Sequence, residues 1–393
     1  MKKNNYSTIL DLGRSNLRLG VFDERLNHVY STSKNIFDKE NFHEYSKSID
    51  FIIKDAEKKI SDHLENIIVL YDSPEIFSID LSIKKDFDQK VYFNDINSFL
   101  ILEANQLIKN NYIKDNIIHL ITDKYIIDGK EVPTKPKKDL EVKTIIIEIK
   151  FICLPKKIYN KIINIIRKNN LQIINFYCSS YAKSFSYINY FKVRKFINFL
   201  DIGWERSTLT LFENKKLKFI YSIPIGGNHI SNDISHVLKL DIEESENIKK
   251  SFNKYEIEFS YDKNINYENN NLTKELLEKN ISVELLKKVV LARIEEIIEL
   301  VFKNANILND FKDSSNSTLV LTGNGSKLFN KNSFHLDDKH NFKEISYYEE
   351  TDLEICNAGL KFNENWKKNE IQMVGKVLKK EGFFEKFFKF FSR

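Results

Sequence analysis

Along this chain, strand-length apolar runs alternate with amphipathic stretches. Tyr6 to Leu12 and Leu17 to Phe22 predict two β-strands joined by a short polar turn. An amphipathic helix is expected around Phe51 to Leu64, then a buried strand over Ile67 to Tyr71. From about residue 83 the pattern changes to a helix near Asp95 to Ile108 and strands at Ile117 to Ile121, Tyr125 to Asp128 and Lys143 to Ile152, a small inserted α+β unit. A helix at Lys156 to Lys168 and a strand at Leu171 to Phe176 resume the earlier style, and the strand Phe196 to Asp201 opens a second half.

The second half repeats the first. Phe199 to Phe212 (FLDIGWERSTLTLF) has the strand, turn and strand logic of Ile9 to Phe22 (ILDLGRSNLRLGVF), and both turns follow an Asp-aliphatic-Gly triplet. One such triplet is weak evidence, because Asp and Gly are ordinary turn residues. Two, each between β-like runs, predict a duplicated α/β domain with a cleft between the halves. Residues 260–274 are Asn-rich and read as a polar loop; a long helix over about Val283 to Leu308 carries Leu286, Val290, Ile294, Ile297 and Val301 on one face.

Composition narrows the function. A chain of 393 residues with 42% hydrophobic content can bury a large core in more than one domain. Its 61 basic residues nearly balance 56 acidic ones, and a net +5 is no nucleic-acid footprint. Cys153, Cys178 and Cys356 lie far apart, which argues against a disulfide framework or a zinc site and for a reducing cytosol. The opening MKKNNYSTILDLG lacks the apolar stretch of a signal peptide, and no segment approaches the roughly 20 apolar residues of a spanning helix. Membrane contact is expected to be peripheral.

The repeated turns carry the candidate chemistry. A phosphate tail needs inward N–H groups and small residues, while its Mg²⁺ needs carboxylates reached through water. Asp11 and Asp201 are placed to face such a metal from opposite sides, with Gly13 and Gly203 permitting the bends. A third glycine turn, Leu319 to Ser326 (LVLTGNGS), follows an apolar strand and would pass close to an adenosine.

The order phosphate turn, inserted domain, second phosphate turn, adenosine turn is similar to the actin, Hsp70 and hexokinase superfamily, which includes sugar kinases. Within it, Ile223 to Ser235 (IPIGGNHISNDIS), followed by IEESENIKK at Ile242 to Lys250, resembles the FtsA family of bacterial cell-division proteins. The resemblance implies actin-like duplicated domains: subdomain 1A over 1–82 and 156–197, an SHS2-type insert over 83–155, subdomain 2A over 198–235 and 309–361, and 2B over 236–308. It implies ATP in the cleft at Asp11, Gly13, Ser15, Asp201, Gly203, Gly323 and Gly325, with Glu246 and Lys249 at the ribose or base. The sequence departs from the family at Arg14 and Asn16, where Thr and Lys are usual, and at Trp204 and Glu205, where glycines are usual. Bulk and negative charge there point to slow or absent hydrolysis. Arg18 either restores the missing positive charge or lies solvated on its strand.

The same resemblance implies a docking site for the C-terminal peptide of FtsZ at LARIEEI, Leu291 to Ile297, with Arg293 pairing with the acidic peptide; by spacing alone, Arg293 pairs with Glu295 or Glu296. After Leu360 the chain turns polar, a linker over 362–381, and ends in GFFEKFFKFFSR. If residues 382–393 are helical, Phe383, Phe384, Phe387, Phe388 and Phe391 form one apolar face opposite Lys386, Lys389 and Arg393, the pattern of a helix lying on an anionic membrane surface. The expected protein is a non-enzymatic, ATP-binding recruiter at the cytoplasmic face of the inner membrane, polymerising with itself and meeting other division proteins at the division site. The alternatives are a PilM-like type IV pilus assembly protein and a sugar or acetate kinase.

Overall fold

The computed structural model describes residues 6–36, 42–132, 135–191, 195–255, 282–304, 317–328 and 342–368. The first stretch of chain runs β1 (Ser7–Leu12), β2 (Asn16–Phe22), β3 (His28–Asn35), α1 (Phe42–Ile60) and β4 (Asn66–Tyr71). Next come β5 (Phe77–Tyr92), α2 (Phe93–Asn111), β6 (Asp115–Ile127), β7 (Lys130–Val132), β8 (Glu141–Pro155) and α3 (Lys156–Lys168). The chain continues through β9 (Gln172–Cys178), α4 (Ser179–Tyr187), β10 (Phe196–Ile202), β11 (Ser207–Glu213), β12 (Lys216–Ile223), α5 (Gly227–Leu238) and α6 (Ile242–Tyr255). It closes with α7 (Val283–Asn304), β13 (Ser317–Thr322), β14 (Glu344–Tyr347) and α8 (Asp352–Lys368).

The described residues form two compact units, one within 1–77 and 160–360 and the other within 78–159 and 361–368. The first unit holds two five-stranded sheets of one design, ordered β3-β2-β1-β4-β9 and β12-β11-β10-β13-β14. In each, an antiparallel hairpin leads the meander and two parallel strands follow. The duplication expected from the two triplets is therefore a duplication of whole sheets. The β11–β12 hairpin closes through Asn214 and Lys215, with φ of 50° and 66°, the paired left-handed residues that match strand twist.

Burial of apolar faces fixes the helices. The stripe expected on the long helix is the buried one: Leu286, Val290, Ile294, Ile297 and Val301 of α7 are fully buried with Ile230 and Ile234 of α5. Two elements escape the pattern. β5 alternates between half-buried and exposed positions with only Ile83 buried, so its apolar signal is faint. α4 buries Ser179, Ser180, Lys183 and Ser184 along with Tyr181, Ala182 and Tyr187, so polar and apolar side chains turn inward together.

The second unit contains a four-stranded sheet, β5-β8-β6-β7. The two short strands expected between Ile117 and Asp128 are one strand, β6, bent by register shifts at Ile117/His119 and Thr122/Lys124. Within this unit His119 lies fully buried, 5.7 Å from the Phe362 ring and 5.3 Å from Trp366, and burial pushes its imidazole down to about 3. The polar stretch read as a linker thus begins as the last turns of α8, because Phe362 is a core residue. From residue 369 onward, including the tail phenylalanines Phe383, Phe384, Phe387, Phe388 and Phe391, the chain lies outside the described residues, as does the loop at 260–274. Among the described residues, no helix is long and apolar enough to cross a membrane.

Candidate functional site

Each leading hairpin ends its first strand in a buried aspartate. Asp11 stands opposite Arg18 in the β1–β2 register. Arg18 Nη1 donates to Asp11 Oδ2 at 2.8 Å and its Nε to Asp352 Oδ1, at the start of α8, at 2.5 Å. Arg18 is only 7% exposed, so it is a cleft cation and not a solvated strand residue. Burial opposes its charge, but Asp11 and Asp352 hold it firmly protonated. The hydroxyl of Ser179 completes the cradle, donating to Asp11 Oδ1 at 2.8 Å.

Asp201 is served differently. Its cross-strand neighbour is Thr208, and its cations come from elsewhere. Lys183 Nζ, on α4, lies 3.0 Å from Asp201 Oδ2, and Arg206 Nη2 lies 3.3 Å from the same oxygen. Arg206 also pairs closely with Asp72, which follows β4 and accepts from the Ser180 N–H at 2.9 Å. The Ser180 hydroxyl sits 2.8 Å from Asp72 Oδ2 and 2.7 Å from Asp201 Oδ2. Lys183 reaches Glu350 as well, at 3.0 Å, and Glu350 accepts the Gly323 N–H at 2.8 Å.

Burial alone would raise the Asp201 carboxyl, but Lys183 and then Arg206 hold it well below the usual range. Lys183, which burial would strip of its proton, is kept charged by Asp201 and Glu350. Glu350 goes the other way: burial raises it despite Lys183. Sequence reading missed Asp72, Ser179, Ser180, Lys183, Arg206, Glu350 and Asp352. The only local signal was the acidic run EETD at Glu349 to Asp352.

Of the glycines expected at the turns, Gly13 and Gly323 stand where a side chain does not fit. A Cβ on Gly13 would overlap the Asn16 carbonyl oxygen, whereas one on Gly203 would lie 3.2 Å from the Arg206 carbonyl. Gly323 has φ +86°, and a Cβ there would overlap Asp201 Oδ1. A Cβ on Gly227 would come within 3.6 Å of Gly325 Cα and 3.7 Å of Lys249 Nζ, so the second, third and α5 turns converge. At the start of α5, the Gly227 and Asn228 N–H groups donate to the Gly203 and Trp204 carbonyls at 2.9 and 2.7 Å. That helix end is therefore spent on the turn.

Asp11, Gly13, Ser15, Asp201, Gly203 and Gly323 all line one cleft, together with Arg14, Asp72, Lys183, Trp204, Arg206 and Glu350. Glu246 and Lys249 meet beside it. Lys249 Nζ lies 2.6 Å from Glu246 and 2.8 Å from the Gly227 carbonyl, with the Trp204 ring 4.8 Å beneath it. Trp204 thus carries a cation on its face. Glu205, expected to repel phosphate, is paired with Arg14 at 3.4 Å across the two hairpin turns. The cleft holds about 70 Å³, well under the roughly 300–1,000 Å³ of a pocket filled by a small molecule, so a ligand of nucleotide size must part some pairs to enter.

A hydrated divalent ion bridging Asp11 and Asp201 does not fit this arrangement. Both carboxylates already carry a guanidinium or ammonium together with a serine hydroxyl. Among the described residues, no group of three or more His, Cys, Asp or Glu is arranged to hold a metal.

Away from the cleft, Arg293 of α7 grips Asp233 of α5 through Nε at 2.5 Å and Nη2 at 2.8 Å, and reaches Glu296 at 2.7 Å. The neighbour expected from helical spacing, Glu296, is present, and a stronger second partner was not legible.

Residues 199–327 match the sequence model of a family described as cell division protein FtsA. The cell division protein FtsA of Bacillus subtilis (strain 168) is 26% identical over 204 residues, 51% of this chain and 45% of that protein. Its counterpart from Buchnera aphidicola subsp. Acyrthosiphon pisum (strain APS) is 23% identical over 248 residues, 61% of this chain and 58% of that protein. The chain thus spans less than two thirds of the length of these relatives. Among solved structures, a PilM-PilN type IV pilus biogenesis complex is similar with a TM-score of 0.56 at 11% identity, covering 91% of this chain and 98% of that one. The fold is actin-like, and the resemblance to the FtsA family is borne out by both sequence comparisons.

Proposed function

We propose that this chain is an actin-like cell-division protein that binds ATP in the cleft between its two hairpins and serves as a structural recruiter with at most weak ATPase activity. The observation that carries this reading is the convergence of Asp11 and Asp201, with Gly13, Gly203 and Gly323, on one cleft between two sheets of the same topology. Asp11, Asp72, Asp201 and Glu350 are each committed to a cation, which disfavours any of them as a base for water.

The partners follow from the family resemblance and the sequence. Arg293 presents a guanidinium organised for carboxylates, so an acidic FtsZ C-terminal peptide would exchange with Asp233 and Glu296. The phenylalanine-rich end of the sequence, with its lysines, suits the anionic cytoplasmic face of the inner membrane at the division site. Residues 83–155 are read as an SHS2-type insert, and the protein as a homopolymer that meets other division proteins. The fold similarity to the PilM-PilN complex favours a pilus-assembly role as the second reading. The family match over 199–327, which includes α5, α6 and Arg293, favours division.

Co-sedimentation of the full chain with phosphatidylglycerol vesicles and an FtsZ C-terminal peptide tests this. The chain is expected to pellet and carry peptide. Arg293→Glu should pellet without peptide, and truncation before Gly382 should abolish pelleting. Equal pelleting of full and truncated chains, or peptide carried equally by Arg293→Glu, overturns the tethering role.

A further inference from the structure

The cation economy of the cleft has a consequence for the nucleotide it takes. In a metal-bridged phosphate site, a divalent ion neutralises phosphate oxygens on one side and meets protein carboxylates, through water, on the other. Here the carboxylate side is already satisfied by the chain's own cations. Asp201, 2% exposed, has Lys183 at 3.0 Å and Arg206 at 3.3 Å on one oxygen, and its other oxygen lies against Gly323. Asp11 has Arg18 at 2.8 Å and Ser179 at 2.8 Å.

Among the cleft residues, the carboxylates of Asp11, Asp72, Asp201 and Glu350 are buried, faced by the buried cations Arg18 and Lys183 and the partly buried Arg206. Arg18 is shared with Asp352, and Glu350 shares Lys183 with Asp201, its carboxyl raised by burial. Removing one partner from such a buried set leaves an uncompensated charge and costs several kcal/mol. The deep pairs therefore resist displacement. The pair that parts most cheaply is Arg14–Glu205 at the mouth, with side chains 48% and 34% exposed. Opening it frees the Arg14 guanidinium for phosphate oxygens without disturbing Asp201.

We propose that the cleft takes a nucleoside triphosphate without a divalent metal, Lys183 and Arg206 standing permanently where a hydrated ion would otherwise serve Asp201. Lys183 is here a positioning residue. It fixes the charge of Asp201 and Glu350, while Arg14, released from Glu205, meets the phosphates. The inference rests on the nucleotide reading proposed above, and the experiment separates the two.

Calorimetric titration of ATP into the full chain is run in excess Mg²⁺ and again in EDTA. The expected result is saturable binding in both buffers, with Kd values within about threefold. Lys183→Met, which bares Asp201 and Glu350, should bind at least tenfold more weakly in EDTA than in Mg²⁺, while Lys183→Arg should keep the metal-independent behaviour. Thermal melting of both variants controls for folding, and the wild-type comparison stands without them. Wild-type binding that weakens tenfold or more in EDTA overturns the inference and leaves the nucleotide reading standing. No saturable binding in either buffer overturns the nucleotide reading and this inference with it.

Discussion

The two hairpins that face each other across the cleft share a sheet order and an Asp-aliphatic-Gly turn, yet they neutralise their aspartates by different routes. Asp11 takes its cation from Arg18, the residue opposite it on the next strand. Asp201 has Thr208 in that place and depends on Lys183 from the first half and Arg206 from its own turn. Conversely, Arg18 is completed by Asp352 of the second half. Each half therefore finishes the other's site. A duplicated fold constrains where the carboxylates stand, while the source of the compensating charge is free to move to any element within reach.

The largest break in this comparison should come at Lys183. Lys183→Met leaves Asp201 and Glu350 buried with less compensation, and an unfolding free energy lower by about 3–5 kcal/mol is expected from urea denaturation. A loss under 1 kcal/mol would mean that Arg206 alone suffices.

The paired glycines sharpen the comparison next. Gly13→Ala drives a Cβ into the Asn16 carbonyl and is expected to cost about 1–3 kcal/mol, as overpacking does. Gly203→Ala meets its nearest atom at 3.2 Å and should cost less than about 1 kcal/mol. Equal melting temperatures for the two variants would show that the turns are interchangeable.

Acid titration distinguishes the carboxylates by sign. Asp201 is depressed when folded, so the stability it contributes is fully present above the ordinary aspartate pKa of about 3.9 and is lost as pH falls below it. Asp201→Asn should flatten that acid limb. Glu350 is raised when folded, so its contribution has the opposite sign and is lost as pH rises through its folded value; Glu350→Gln should leave the acid limb in place. Unfolding monitored from about pH 1.5 to about pH 7 checks both. The smallest effect belongs to the exposed pair at the mouth: Glu205→Gln should change stability by about 0.5 kcal/mol or less.

The sheets and the α7 stripe were legible in the sequence because apolar burial writes itself in period and length. The chemistry of the cleft was legible only where it is local. Asp11, Gly13, Asp201 and Gly203 sit in turns that announce themselves, whereas α4 buries Ser179, Ser180 and Lys183 among Tyr181, Ala182 and Tyr187 and so shows no division into polar and apolar faces. Lys183, on a helix, becomes a site residue only through Glu350, 167 positions away, and through Asp201 on β10. Trp204 and Glu205 read as obstacles because their partners, Lys249 and Arg14, lie on other elements.

A nucleotide seated between the two hairpins touches both. Amide hydrogen exchange of the full chain with and without saturating ATP tests it most directly. Slowed exchange is expected at both turns, Gly13 to Asn16 and Gly203 to Arg206, and at Gly323 to Gly325. Protection at one hairpin alone, or at neither, would contradict it.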